Sequence, residues 1–151
     1  MNKVLKISLR VSFAFILLLL TCVIVYAKDY KSTIAIGDNS SLRGKDRDYS
    51  YKKYRIDITP KSMMEGPRSP GEVILDTTLR EPHYFLGIYI SGTDLAQKQI
   101  TFNVHTGVNV KVRTEFGNRG SGTRYFYFST LGRWGAGYGA LNGDVVIANY
   151  N

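Results

Sequence analysis

Residues 99–116 read QITFNVHTGVNVKVRTEF, and this stretch decides the fold. Ile100, Phe102 and Val104 alternate with Thr101 and Asn103; Val108, Val110 and Val112 alternate with Asn109, Lys111 and Arg113. A period of two marks strands with one buried and one solvated face. A two-residue loop at Thr106-Gly107 would set Val104 against Asn109 and mix the faces, because a slip of one residue inverts every side chain. A three-residue loop, His105-Thr106-Gly107, sets Val104 against Val108, Phe102 against Val110 and Ile100 against Val112. It also puts glycine where a type I turn with a G1 bulge needs a positive φ. The sequence therefore predicts a hairpin here.

The rest of the chain after residue 27 has the same texture. Short β-branched and aromatic runs are cut by Gly, Pro, Asn and Asp, and no amphipathic helix stands out. Upstream, residues 32–36 read as a first strand and 37–48 as a polar loop. Residues 49–59 read as a second strand, in which Tyr54, Ile56 and Ile58 share one phase and Tyr49 and Tyr51 the other. A bulge at Lys52-Lys53 would bring both sets to one side. Residues 60–71 hold Pro60, Pro67 and Pro70 and predict an exposed connection, with Met63 and Met64 packing back as a flap over the core. Val73, Leu75 and Leu79 point inward from the next strand. Residues 84–91 are apolar in both phases, as in a strand covered on both faces, either central or under the flap; residues 92–98 then read as a turn. Downstream, 117–122 is a loop and 124–131 a strand with aromatics on both faces. Asn142-Gly143 predicts a last two-residue hairpin joining residues 135–141 to 144–150. The expected fold is all-β, an antiparallel β-sandwich of about seven or eight strands.

The N-terminus assigns the compartment. Lys3, Lys6 and Arg10 precede a charge-free apolar run, residues 11–27, that ends Val25-Tyr26-Ala27. This is the layout of a signal-peptide helix cleaved after Ala27, with residues 28–151 forming one secreted domain. The alternative is a retained anchor, since 17 residues reach the short edge of a membrane span. Cys22 is the single cysteine and lies in that run, so the secreted domain has no disulfide and no thiolate chemistry, which suggests a bacterial exporter. Three of the 20 basic residues precede residue 28 and all 12 acidic ones follow it, which leaves 17 against 12, a net charge of +5. A basic excess outside the cell points to an anionic polysaccharide, a cell-wall polymer or a membrane surface, and makes nucleic acid unlikely.

Catalytic signals are weak. His83 and His105 sit in unrelated contexts, no carboxylate pair has a recognisable spacing, and no G-x-S-x-G, P-loop or H-E-x-x-H occurs. No metal and no cofactor is expected, and the enzymatic reading reduces to a small hydrolase using His83 or His105. The most suggestive segment is Arg133-Trp134-Gly135-Ala136-Gly137-Tyr138, which holds the only tryptophan. Trp and Tyr on a glycine-rich platform can stack on sugar rings, and arginine pairs with phosphate or carboxylate. Arg119, Arg124, Arg133, Trp134 and Tyr138 are thus the candidate ligand-binding residues; in the competing reading Trp134 plugs the end of the core. The sequence supports a secreted non-catalytic domain that binds an anionic cell-envelope polymer or another macromolecule, with a cationic membrane-active toxin or antimicrobial protein as the alternative.

Overall fold

The computed structural model describes residues 29–49, 53–117, 120 and 122–150. The N-terminal segment, the expected cleavage site and the expected bulge at Lys52 lie outside them. Nine strands run in order: β1 (Asp29–Ile36), β2 (Ser41–Arg43), β3 (Arg47–Tyr49), β4 (Lys53–Met64), β5 (Glu72–Phe85), β6 (Ile88–Asn103), β7 (Val112–Phe116), β8 (Gly122–Ser129) and β9 (Ala140–Tyr150). One 3-10 turn, Arg133–Gly135, lies between β8 and β9, and the described residues contain no α-helix. The strands form two antiparallel sheets in a sandwich-like arrangement: a four-stranded sheet β1-β9-β4-β7, and a five-stranded one ordered β2-β8-β5-β6 with β3 also on β8. No described helix is long and apolar enough to cross a membrane.

The core follows the alternation in the sequence. Tyr54, Ile56 and Ile58 of β4 and Leu141, Val145 and Ile147 of β9 face Val73, Leu75 and Leu79 of β5, Ile100 and Phe102 of β6 and Phe126 and Phe128 of β8. Phe116 of β7 packs on Phe126 at 5.4 Å between ring centres. On the other side of the four-stranded sheet, Asp57 is also buried. Arg113 holds it from the neighbouring strand through Nε–Oδ1 at 2.9 Å and Nη2–Oδ2 at 3.3 Å, and Arg55 Nε lies 3.4 Å from Oδ2.

The structure departs from the local reading in the expected polar loop at residues 37–48, which carries the short strands β2 and β3 on β8, and in four further places. First, residues 99–116 are no hairpin. Ile100 and Phe102 pair with Leu75 and Val73 in one sheet, while Val112 pairs with Ile58 in the other. The Asn103 side-chain oxygen accepts from the backbone N–H groups of His105 and Thr106 and ends β6. The chain then crosses between sheets, held where Asn109 N–H donates to Pro60 O at 2.7 Å, and Val108 and Val110 stay exposed.

Second, Asn142-Gly143 is no turn. β9 continues through it, paired with β1 along one edge and β4 along the other. Eleven residues paired with β4, eight of them also with β1, outweigh a two-residue turn preference. Glycine is needed for a different reason: a Cβ on Gly143 would come 2.4 Å from Thr59 O. The register shift in this pair falls between Pro60 and Ser62, the position at which a sheet tolerates proline. β4 therefore extends to Met64 through the first part of the expected connection, with Met63 packed against the core and Met64 exposed.

Third, residues 92–98 are the middle of β6 and not a turn. Fourth, residues 84–91 are neither central nor covered. They form the tip of the β5–β6 hairpin, turned by Leu86-Gly87, both at positive φ (49° and 78°). Positive φ at both central residues is the type I′ pattern whose twist matches the flanking strands.

Candidate binding surface

The five-stranded sheet carries two distinctive features, one beyond each end of β8. At the Ser129 end, three turns are locked together: residues 37–40, 66–71 and 131–139. Thr130 is the hub and is fully buried. Its backbone N–H donates to Ser40 O at 2.9 Å, its hydroxyl donates to Gly37 O at 2.6 Å and accepts from Ser40 N–H at 3.2 Å. Its carbonyl accepts from Tyr138 N–H at 2.9 Å, closing the loop between them. Asp38 Oδ1 accepts from Gly139 N–H at 2.7 Å. The Tyr138 carbonyl accepts from Ser69 Oγ and from Ile74 N–H, each at 3.0 Å. Gly66 lies so close that a Cβ there would come 2.2 Å from Gly139 N.

On this rigid base stands Trp134, 90% exposed and at φ 64°. A bulky side chain in the left-handed region costs about 1–2 kcal/mol, and the ring gains no burial in return. Trp134 is therefore a displayed group and not a core plug. Leu131 beside it is half exposed and Tyr138 half-buried. Arg68 is exposed on the adjoining 66–71 turn. An open groove of about 550 Å³ begins where this loop feeds into β9, lined among others by Ile36, Met63, Met64, Ala140 and Leu141.

The other sequence-derived residues lie elsewhere or outside the description. Arg133 precedes Trp134 in the 3-10 turn. Arg119 lies outside the described residues. Arg124 is buried near the start of β8, five residues before Ser129 and so roughly 17 Å from it along an extended strand; it pairs with Glu81 at 3.2 Å. Trp134 and Tyr138 thus share one loop, and Arg124 does not join them.

At the opposite end is a feature that sequence reasoning missed. Among the described residues, β5 pairs with β8 as far as Arg80 opposite Tyr125, and beyond it β5 and β6 pair with each other. Phe85, Leu86, Ile88 and Ile90 at the tip are 62–85% exposed, and Tyr84 is 47% exposed. The Leu86-Gly87 pair between two apolar runs is the available signal; apolarity in both phases marks either a strand covered on both faces or a projecting tip, and here it marks the tip. The arm's root is clamped by arginines stacked on rings. The Arg43 guanidinium lies 4.1 Å from the Tyr89 ring centre and 4.3 Å from that of Tyr125, and Arg80 lies 4.2 Å from that of Tyr127. This stacking covers the outer tyrosines of β8, while Phe126 and Phe128 fill the core.

His83 Nε2 contacts Thr93 Oγ1 at 2.6 Å on the arm, whereas His105 follows the far end of β6. Among the described residues no group of three or more His, Cys, Asp or Glu could hold a metal ion.

No protein-family model and no curated protein matches the chain. Among solved structures, it is similar to the CBM36-1 domain of a multidomain xylanase from the hindgut metagenome of Trinervitermes trinervoides (10% identity, 83% of this chain and 98% of that one, TM-score 0.43). It is similar to a Bacillus endospore appendage protein (11% identity, 83% and 88%, TM-score 0.37). It is also similar to the C-terminal CBM6 of LamC from Zobellia galactanivorans (15% identity, 80% and 90%, TM-score 0.37).

Proposed function

We propose that this protein is a secreted, non-catalytic binding domain that holds an anionic cell-envelope polysaccharide or wall polymer on the Trp134 turn cluster. The observation that carries this reading is Trp134 itself, almost wholly exposed at positive φ on a base pinned through Thr130, Asp38 and Tyr138. Backbone strain at an exposed aromatic supports a role in contact, and a fixed indole presents a flat face to a sugar ring at little entropic cost. Arg68 is exposed on the adjoining 66–71 turn and supplies positive charge there, and the groove along Met63 and Leu141 gives a polymer room to extend. The basic balance of residues 28–151 favours an anionic ligand. The competing reading, a cationic membrane-active protein, draws its support from the arm at the other end of the sheet.

The test uses the sole tryptophan as its own reporter. The full chain is titrated with poly(glycerol phosphate), with polygalacturonate and with a neutral glucan. A saturable change in Trp134 emission is expected with an anionic polymer. Calorimetry on Trp134→Ala should then show affinity lower by about tenfold, the scale of one lost aromatic contact. Unchanged emission with all three polymers would sink the proposal.

A further inference from the structure

We propose that the arm spanning residues 81–93 dips its tip into the interfacial layer of a lipid bilayer. The inference rests on the arm alone and not on the polymer reading, since Trp134 lies beyond the opposite end of β8.

The end of the arm is apolar: Phe85 pairs with Ile88, and both are exposed together with Leu86 and Ile90. On the other face Tyr84 is half exposed, while its partner Tyr89 is held against the body by Tyr125 and Arg43, so only the tip beyond that anchor is free to enter lipid. The composition also changes along the arm's axis. Phe85, Leu86 and Ile88 stand at the end, Tyr84 and Ile90 come next, and His83, Ser91, Thr93 and Glu81 follow toward the root, while Tyr89 turns back onto Tyr125 and Arg43. That order matches acyl chains, interface and headgroups, and tyrosine is enriched at the middle level.

The depth agrees. Three residues separate Leu86 from His83, roughly 10 Å of extended strand, against an interfacial insertion of about 5–10 Å. Deeper entry is blocked because, among the described residues, the hairpin's outer edges beyond Arg80 have no neighbouring strand, and unpaired edges are not tolerated in hydrocarbon. Leu86 adds a separate indication. A type I′ turn favours asparagine or glycine at this position, yet a leucine stands there, 85% exposed. A second copy of the chain fits less well. The seven residues from Tyr84 to Ile90 fall far short of the roughly 20–30 residues a side in a stable protein interface. The net charge of +5 over residues 28–151 favours an anionic bilayer.

The experiment moves the single tryptophan to the tip. The full chain carrying Trp134→Phe and Phe85→Trp is mixed with phosphatidylcholine vesicles and with vesicles containing phosphatidylglycerol, each also made with lipid brominated in the upper acyl chain. The reporter at residue 85 reads the tip independently of the apolar run at residues 11–27. A blue shift and quenching by bromine are expected, stronger with the anionic vesicles. Adding Leu86→Asn, which the turn accepts, should weaken partitioning about tenfold, as for one leucine-sized side chain, with an unchanged circular dichroism spectrum. A tip tryptophan that is neither shifted nor quenched by either vesicle overturns the proposal. So does a shift that appears without lipid and grows with protein concentration, which assigns the tip to a second copy.

Discussion

The hydroxyls of Tyr89 and Tyr125 meet at 2.6 Å, with the two rings edge to face at 5.9 Å and 84°. Tyr89 belongs to the projecting arm and Tyr125 to β8, so this contact ties the arm to the body. A two-stranded hairpin alone is marginal in water; the arm depends on this anchor and on Arg43 stacked across both rings. Replacing Tyr89 with phenylalanine leaves the buried Tyr125 hydroxyl without that partner. The expected cost is about 1–2 kcal/mol, with faster amide exchange confined to residues 81–93. Unaltered exchange there would show that the anchor lies elsewhere.

Alkaline pH should act through the same tyrosine. Burial, followed by the Tyr89 hydroxyl, raises the Tyr125 phenol above its ordinary value against the opposing influence of Arg80. Tyr54 is also raised by burial, opposed by the Arg124 charge. A raised phenol means that the native state holds the neutral form. The associated stability is complete below about pH 10 and is lost as pH rises through the higher folded value. Ultraviolet titration should show Tyr54 and Tyr125 ionising late, their phenolate signal appearing together with loss of near-ultraviolet dichroism. Ionisation of every tyrosine near the ordinary value, without unfolding, would contradict this.

Acid should act through Asp57. Burial on its own would push the carboxyl up, but the hydrogen bond from Arg113 and the charges of Arg55, Arg113 and Lys111 reverse it and hold it below the ordinary range. A lowered carboxyl contributes stability that is present above its unfolded value of about 3.9 and is lost as pH falls through the folded one. Asp57→Asn should cost about 1–3 kcal/mol at neutral pH and flatten the loss of stability below about pH 4. Denaturant midpoints at several pH values would check it, and parallel acid profiles for the two proteins would refute it.

Gly66 tests the coupling between the 66–71 turn and the displayed tryptophan. A Cβ there would meet the backbone of residues 137–139 at 2.2–2.6 Å, and backbone cannot swing aside as a flexible side chain can. Gly66→Ala should destabilise the fold by about 1–3 kcal/mol and alter the mobility of Trp134, read by fluorescence anisotropy. Wild-type anisotropy in the variant would mean that the loop keeps its conformation without this turn.

Leu86→Asn should stabilise the isolated protein. The substitution keeps the positive φ and places there a residue that tolerates it, for a gain of about 1 kcal/mol. A thermal midpoint below that of the wild type would show that Leu86 makes a stabilising contact in solution.

The alternation of residue types was enough to establish that the chain is all-β and which side chains point inward. Tyr54, Ile56 and Ile58, Val73, Leu75 and Leu79, and Ile100 and Phe102 are buried as their phases require, because strand periodicity is a local property. It also singled out Trp134 in a glycine-rich segment, but it read residues 135–141 as a strand, whereas β9 begins only at Ala140 and the residues before it form the turn and loop that carry Trp134. Partner choice was not legible, since alternation says which face a residue takes and not which strand lies beside it. The run at residues 99–116 looks self-complementary, yet Ile100 pairs with Leu75 and Val112 with Ile58 in different sheets, and Asn142-Gly143 sits inside a strand whose two neighbours come from distant parts of the chain. Burial of the aromatics was decided only by that assembly. A strand apolar on both faces is covered when other strands flank it and exposed when it projects beyond them, and β8 ends its pairing with β5 at Arg80, leaving Phe85, Leu86 and Ile88 outside. Likewise Trp134 is displayed because the two ends of its loop, Thr130 and Gly139, are pinned by Gly37, Ser40 and Asp38, which lie 90 to 101 residues away in sequence.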